Sequence, residues 1–202
     1  MKKRGSTSAT KKRGAPARPR TASKPRMRVL YSDKQIRKRV LELAKQIDRD
    51  YRGKVVHVVG ILEKCFVFMA DLTRALKVPA VCHFVLPAIR DCSEGSLALR
   101  EIRFTPEIDA RGKDVLLVDG VLQSGLTLDH LVRSMLAQGP ASMRTACLIE
   151  KTAERKVDVI TDYVGFKTPA KFVVGYGLGH EGQFHNLPYV AQLRGSHVPT
   201  RG

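Results

Sequence analysis

Residues 115–128 read Val-Leu-Leu-Val-Asp-Gly-Val-Leu-Gln-Ser-Gly-Leu-Thr-Leu and carry the densest chemical signal in the chain. Four apolar residues, 115–118, predict a buried strand. A small polar turn follows, and a helix is expected to open near Ser124. A strand, a Ser-Gly-x-Thr turn and a helix N-terminus together make a cradle for phosphate. Backbone N–H groups converge there, the helix dipole is positive there, and the Ser124 and Thr127 hydroxyls can donate.

Such a turn needs a sheet behind it. Ser32 reads as an N-cap. Ile36, Val40, Leu43, Ile47 and Tyr51 then recur at helical spacing up to Gly53. Residues 54–60 are rich in β-branched side chains and predict a buried strand. Residues 64–76 read as a helix, and Pro79 separates it from a second strand over 80–86. Residues 87–97 read as irregular, with a returning strand over 99–104. The strongest strand covers 114–119. Leu128, Leu131, Val132, Met135 and Leu136 define the helix after it, which Gly139-Pro140 stops. Further strands are expected at 145–150, 163–164 and 172–175. This alternation predicts an α/β fold, a mostly parallel central sheet with helices on both faces. Ligands in such sheets bind beyond the carboxyl ends of the strands, where the 115–128 turn would lie.

A chain of 202 residues, 43% hydrophobic, suits one such domain with a tail. No apolar run approaches the roughly 20 residues that span a membrane, and the N-terminus lacks the apolar region of a secretory signal. Cys65, Cys82, Cys92 and Cys147 form no C-x-x-C pair. They read as reduced packing residues of a cytoplasmic protein and argue against a zinc site. The formal charge is +17, of which residues 1–27 hold +10 without an acidic residue. That segment has no apolar periodicity and is expected to be disordered. It reads as an arm for nucleic acid or another polyanion, as a solvated extension, or as an organelle transit peptide. The ordered domain is expected over 28–195, and residues 196–202 form a second disordered tail.

At this point the sequence resembles the hypoxanthine-guanine phosphoribosyltransferases. The resemblance runs from about residue 28 to 193. It rests on Val-Leu-Tyr-Ser at 29–32, Val-Gly-Ile-Leu at 59–62, Phe-Met-Ala-Asp-Leu at 68–72, Ser-Gly-Leu-Thr-Leu at 124–128 and Phe-Val-Val-Gly-Tyr-Gly-Leu at 172–178. It implies the type I phosphoribosyltransferase fold. It also implies transfer of a 5-phosphoribosyl group from phosphoribosyl pyrophosphate to N9 of a 6-oxopurine. Pyrophosphate leaves poorly unless magnesium and positive donors neutralise it. The resemblance further implies a homo-oligomer, a dimer or tetramer.

Carried over by resemblance, Gln123, Ser124, Gly125, Leu126 and Thr127 form the 5′-phosphate loop. Lys151 donates to the purine 6-oxygen and so selects oxopurines over adenine. Phe172 stacks on the base, and the Val173 backbone meets the purine edge. The thirteen-residue step from Lys151 to Val164 also matches the family.

Six places depart from the family pattern. The Glu-Asp pair for ribose and metal reads Asp119-Gly120, leaving Asp119 as the one candidate metal ligand. The aspartate that accepts the N7 proton is Gln123, and an amide is no base near neutral pH. The pyrophosphate loop reads Leu62-Glu63-Lys64, where Glu63 would repel the diphosphate and Lys64 partly compensate. Gly179 replaces an aspartate that helps hold a second magnesium, His185 replaces an arginine, and Ile89-Arg90 replaces a Ser-Tyr pair.

The phosphate loop and purine clamp are spared while metal, proton-transfer and pyrophosphate groups change. The first reading is therefore a weak or inactive pseudoenzyme that binds a 6-oxopurine 5′-monophosphate such as GMP or IMP. The second is a working transferase using phosphoribosyl pyrophosphate and magnesium, with Asp119, Lys64, Glu63 or His180 supplying the missing charges and base. The third is a purine-nucleotide sensor with a nucleic-acid-binding arm. His57 and His83 read as satisfied histidines in strands, and Tyr163, Phe166 and Tyr176 as core or wall residues.

Overall fold

The computed structural model describes residues 26–93, 98–105 and 108–194; between 88 and 104 it describes backbone only. Six strands make the central sheet, in the order β4 (Ala98–Thr105), β3 (Ala80–Ser93), β2 (Val56–Ile61), β5 (Asp114–Leu122), β6 (Ser142–Lys151) and β7 (Tyr163–Thr168). All neighbouring pairs are parallel except β3 with β4. The mostly parallel sheet expected from the sequence is therefore present.

Side chains of the central strands alternate between two cores, as a pleat requires. Val56, Val58, Leu116, Val118 and Leu148 pack with Ile36, Leu43 and Ile47 of α1 (Asp33–Asp50) and Phe68 and Leu72 of α2 (Phe66–Ala75). Val59, Val115, Leu117 and Cys147 pack on the other face with Leu128, Leu131 and Met135 of α3 (Leu126–Leu136). Tyr51 closes the first core, its hydroxyl donating to the Val115 carbonyl at 2.9 Å. Cys65 and Cys147 are buried packing residues, whereas Cys82 is exposed. Tyr163 and Tyr176 are buried, and Phe166 packs against the first core. His57 Nδ1 lies 3.1 Å from His83 Nε2 across β2 and β3.

Helix α1 starts where the sequence puts it. The Gln35 amide N–H donates to the Ser32 hydroxyl, and Gln35 Oε1 accepts from the Ser32 N–H at 2.9 Å, a reciprocal cap. Ser32→Ala is expected to cost about 1 kcal/mol, read as a lowered midpoint in urea unfolding.

Two expectations change. The stretch expected to be irregular, 87–97, is not a loop at its start, because β3 continues to Ser93 and pairs antiparallel with β4. Pro87 is tolerated because β3 pairs with β2 only as far as Val85, so its missing N–H leaves no β2 bond unmade. A second, three-stranded sheet was not expected at all. Its order is β1 (Arg26–Tyr31), β9 (Val190–Arg194) and β8 (Val173–Val174), antiparallel throughout. The basic segment lies outside the described residues up to position 25, and Arg26 and Met27 already belong to β1. Residues 195–202 also lie outside them.

Candidate active site

Strand β5 does not stop at Asp119 but runs to Leu122, and α3 begins only at Leu126. The turn between them is short, and Gly125 caps it with φ +84°. A Cβ there would lie 3.0 Å from Val157 Cγ2 and 3.1 Å from the Val157 carbonyl oxygen. The Ser124 carbonyl accepts from the N–H groups of Lys156 and Val157, at 3.0 and 3.3 Å. The Ser-Gly-x-Thr turn is thus braced by the loop after β6. Gly125→Ala should cost about 1–3 kcal/mol from left-handed backbone alone, measured by chemical unfolding.

This turn floors a cleft of about 940 Å³ at the carboxyl ends of β2, β5 and β6. Gln123, Ser124, Gly125, Leu126 and Thr127 line it together with Asp119, Leu62 and Lys64. Three of the expected subsites therefore meet in one space. Glu63 is exposed and is not part of the lining, so the 62–64 turn offers the cleft a lysine rather than a carboxylate. The Leu62–Glu63 peptide is cis.

Asp119 is buried, and burial pushes its carboxyl up to about 6. The N–H groups of Val121 and Gly120 and the charge of Lys64 pull the other way. Val121 N–H donates to Asp119 Oδ1 at 3.3 Å. The neighbouring position has no room for a side chain: a Cβ on Gly120 would lie 2.0 Å from the Lys64 carbonyl oxygen. Gly179 is similarly filled, since a Cβ there would lie 2.0 Å from His185 Nε2. The imidazole of His185 stands where a residue-179 side chain would begin.

The residues expected to clamp a purine are placed differently. Lys151, Phe172 and Val173 are not among the residues lining the cleft. Lys151 is buried at the end of β6, and its ammonium contacts the Lys171 carbonyl. Burial lowers its pKa, with the nearby Glu154 opposing and Lys64 reinforcing that shift. Phe172 packs against the cluster of Val174, Ala191 and Leu193 at the small sheet, with its ring edge-on to His180 at 5.9 Å. Val173 pairs with Gln192 on β9. Ile89 and Arg90 lie on β3, with side chains outside the described residues.

Glu154 and Lys156 line the cleft and were not singled out from sequence. Glu154 accepts from the Gln123 side-chain amide and stands 3.4 Å from the Lys151 ammonium. The only available signal was an acidic residue three positions after Lys151, which is ordinary surface patterning in a sequence without coordinates. Among the described residues, no group of three or more His, Cys, Asp or Glu side chains could hold a metal ion by itself.

Residues 29–180 match the model of the phosphoribosyl transferase domain family. A hypoxanthine-guanine phosphoribosyltransferase of Dictyostelium discoideum is 36% identical over 170 residues, covering 82% of this chain and 94% of that protein. The chain belongs to the hypoxanthine-guanine phosphoribosyltransferase family. A hypoxanthine phosphoribosyltransferase of Salmonella typhimurium is 34% identical, with the same shares covered. A crystal structure of a Bacillus anthracis hypoxanthine-guanine phosphoribosyltransferase superposes with a TM-score of 0.75 at 31% identity, over 84% of this chain and all of that one. Membership in this purine-salvage family accounts for the sheet, the Ser-Gly-x-Thr turn and their order along the chain. Among the described residues, no helix is long and apolar enough to cross a membrane.

Proposed function

We propose that the protein is a working 6-oxopurine phosphoribosyltransferase, joining hypoxanthine or guanine to the 5-phosphoribosyl group of phosphoribosyl pyrophosphate. The observation that carries this reading is the single cleft shared by the 123–127 turn, Asp119 and Lys64. A mononucleotide binder needs only the turn and a ribose anchor such as Asp119. Placing a lysine beyond them suits a substrate that also bears a diphosphate.

In this reading the N–H groups of the 123–127 turn and the Ser124 and Thr127 hydroxyls hold the 5′-phosphate. Asp119 accepts from a ribose hydroxyl, and Lys64 meets the diphosphate as it gathers charge. Lys151 donates to the purine 6-oxygen, Phe172 covers the ring face and the Val173 backbone meets its edge. The bond from C1′ to N9 forms as the bond from C1′ to the diphosphate oxygen breaks. Positioning both partners supplies much of such a reaction's acceleration.

The donor set fits one magnesium ion brought on the diphosphate. Magnesium takes one or two protein carboxylates and completes its shell with substrate oxygens and water, and Asp119 supplies one. A bound ion there would neutralise diphosphate charge. A second, protein-held ion finds no ligand at 120 or 179, where the space is taken by the Lys64 carbonyl and the His185 ring.

The competing reading, an inactive binder of GMP or IMP, draws on the amide at Gln123 and the glycines at 120 and 179. The absorbance change on conversion of guanine or hypoxanthine to nucleotide decides between them. Product formation that requires phosphoribosyl pyrophosphate and magnesium is expected. No product at high protein concentration, with GMP still binding in calorimetry, would leave the binder. A cytoplasmic homo-oligomer, dimer or tetramer, completes the proposal and is read by light scattering.

A further inference from the structure

We infer that Glu154 is the proton acceptor of this transferase, doing from the loop after β6 what Gln123 cannot do from the phosphate turn. The inference rests on the transferase reading above and deepens it.

The chemistry sets the requirement. A neutral 6-oxopurine carries one imidazole proton. When N9 bonds to C1′ with that proton on N7, the N7–H bond must break and its electron pair enter the ring. The proton then needs an acceptor beside N7. N7 and O6 lie side by side on one edge of the purine. In the reacting form that edge shows an acceptor, O6, next to a donor, N7–H. Its complement is a positive donor next to an anionic acceptor.

Among the described residues, Lys151 and Glu154 form such a pair, with Glu154 on the cleft wall and Lys151 buried behind it. The Lys151 ammonium and Glu154 Oε1 are 3.4 Å apart, a separation that leaves both able to reach a ligand edge. Lys151 is anchored from behind by the Lys171 carbonyl. An ammonium has three donors, so one remains for O6 after Lys171 and Glu154 are counted. Glu154 is held from the other side by the Gln123 amide. That contact gives Gln123 a role: it donates to the carboxylate and aims it, as an aspartate at 123 could not.

Competing uses of Glu154 are covered by other residues. Arg155, its neighbour, pairs with Glu150 at 2.7 Å instead. The Glu154 side chain is 30% exposed and lines the cleft, so substrate and solvent protons reach it. In the forward step the N7 proton passes to a Glu154 oxygen, the C1′–N9 bond forms and pyrophosphate leaves. The proton then exchanges with water through the cleft mouth.

The test compares wild type, Glu154→Gln and Glu154→Gln/Gln123→Asp in guanine conversion, with kcat and KM of each. Losing a positioned general base costs about 10²-fold or more. Glu154→Gln is expected to lose that factor in kcat with KM for phosphoribosyl pyrophosphate within about twofold. The double variant returns a carboxylate to the same edge and is expected to recover at least about a tenth of the rate. A Glu154→Gln enzyme with wild-type kcat, or one altered only in purine KM, overturns the inference and leaves the transferase reading standing. Wild type without product overturns both. Should Glu154→Gln fail to fold by circular dichroism, Glu154→Asp replaces it. A lowered kcat is then expected, and a wild-type kcat overturns the inference.

Discussion

Asp119→Asn is expected to remove most nucleotide synthesis while raising the stability of the ligand-free protein at neutral and alkaline pH. The two effects share one cause. Burial raises the Asp119 carboxyl to about 6, against an ordinary aspartate value of about 3.9. The folded state therefore binds this proton more tightly than the unfolded chain does. Between those two values stability falls as pH rises, and above the upper one the full cost of a buried charge is carried. The whole difference corresponds to roughly 3 kcal/mol, and water in the cleft reduces the share that reaches folding. Asparagine carries no charge and keeps the acceptor for the Val121 N–H. Its melting temperature should exceed wild type by a few degrees at about pH 8 and match it at about pH 4. The functional loss should be about 10²-fold or more, since in the proposed transferase Asp119 serves as both ribose anchor and magnesium ligand. Magnesium with phosphoribosyl pyrophosphate should raise the wild-type melting temperature and leave that of the variant unchanged. Equal stability of the two proteins at about pH 8 would show that the cleft does not isolate this carboxylate from water.

A carboxylate held at such a cost is ordinarily there for use. That bears on how the sequence reads. The strand into the phosphate turn was legible because four apolar residues and a Ser-Gly-x-Thr turn have few other meanings. The cap at Ser32 was legible for the same reason, since its partner Gln35 sits at the required spacing. The small sheet was not. A strand over 172–175 was expected and holds β8, but its sheet partners β9 and β1 were not, and β1 opens with exposed Arg and Met side chains that give no alternation to count. The continuation of β3 past Pro87 was hidden by a proline that is harmless only once β3 has left β2. Substitutions in the site were visible one position at a time. Glu63 was expected to face the diphosphate, yet the turn presents Lys64 to the cleft. Gln123 read as a lost base, yet it touches a carboxylate thirty-one residues away. Chain order cannot show that a group removed from one loop reappears on another that packs against it.

The same coupling makes restoration of the family pattern harmful at Gly120. Gly120→Asp returns the second carboxylate of the ribose and metal pair, and by sequence alone it should improve the enzyme. In the fold, its Cβ would stand 2.0 Å from the Lys64 carbonyl oxygen and 2.5 Å from the Lys64 carbonyl carbon. These are backbone atoms, so no rotamer change relieves the clash. Either β5 bends or the 62–64 turn lifts away. Overpacking of this kind costs about 1–3 kcal/mol, and a second carboxylate beside buried Asp119 adds like-charge repulsion. The expected result is a lower urea midpoint and a higher KM for phosphoribosyl pyrophosphate, because the displaced turn carries Lys64. Gly120→Ala separates the causes: it keeps the clash without the charge and should lose most of the same stability. A Gly120→Asp protein that is as stable as wild type and faster would mean that the turn moves aside freely. The glycine would then be a loss rather than the seat on which this version of the loop rests.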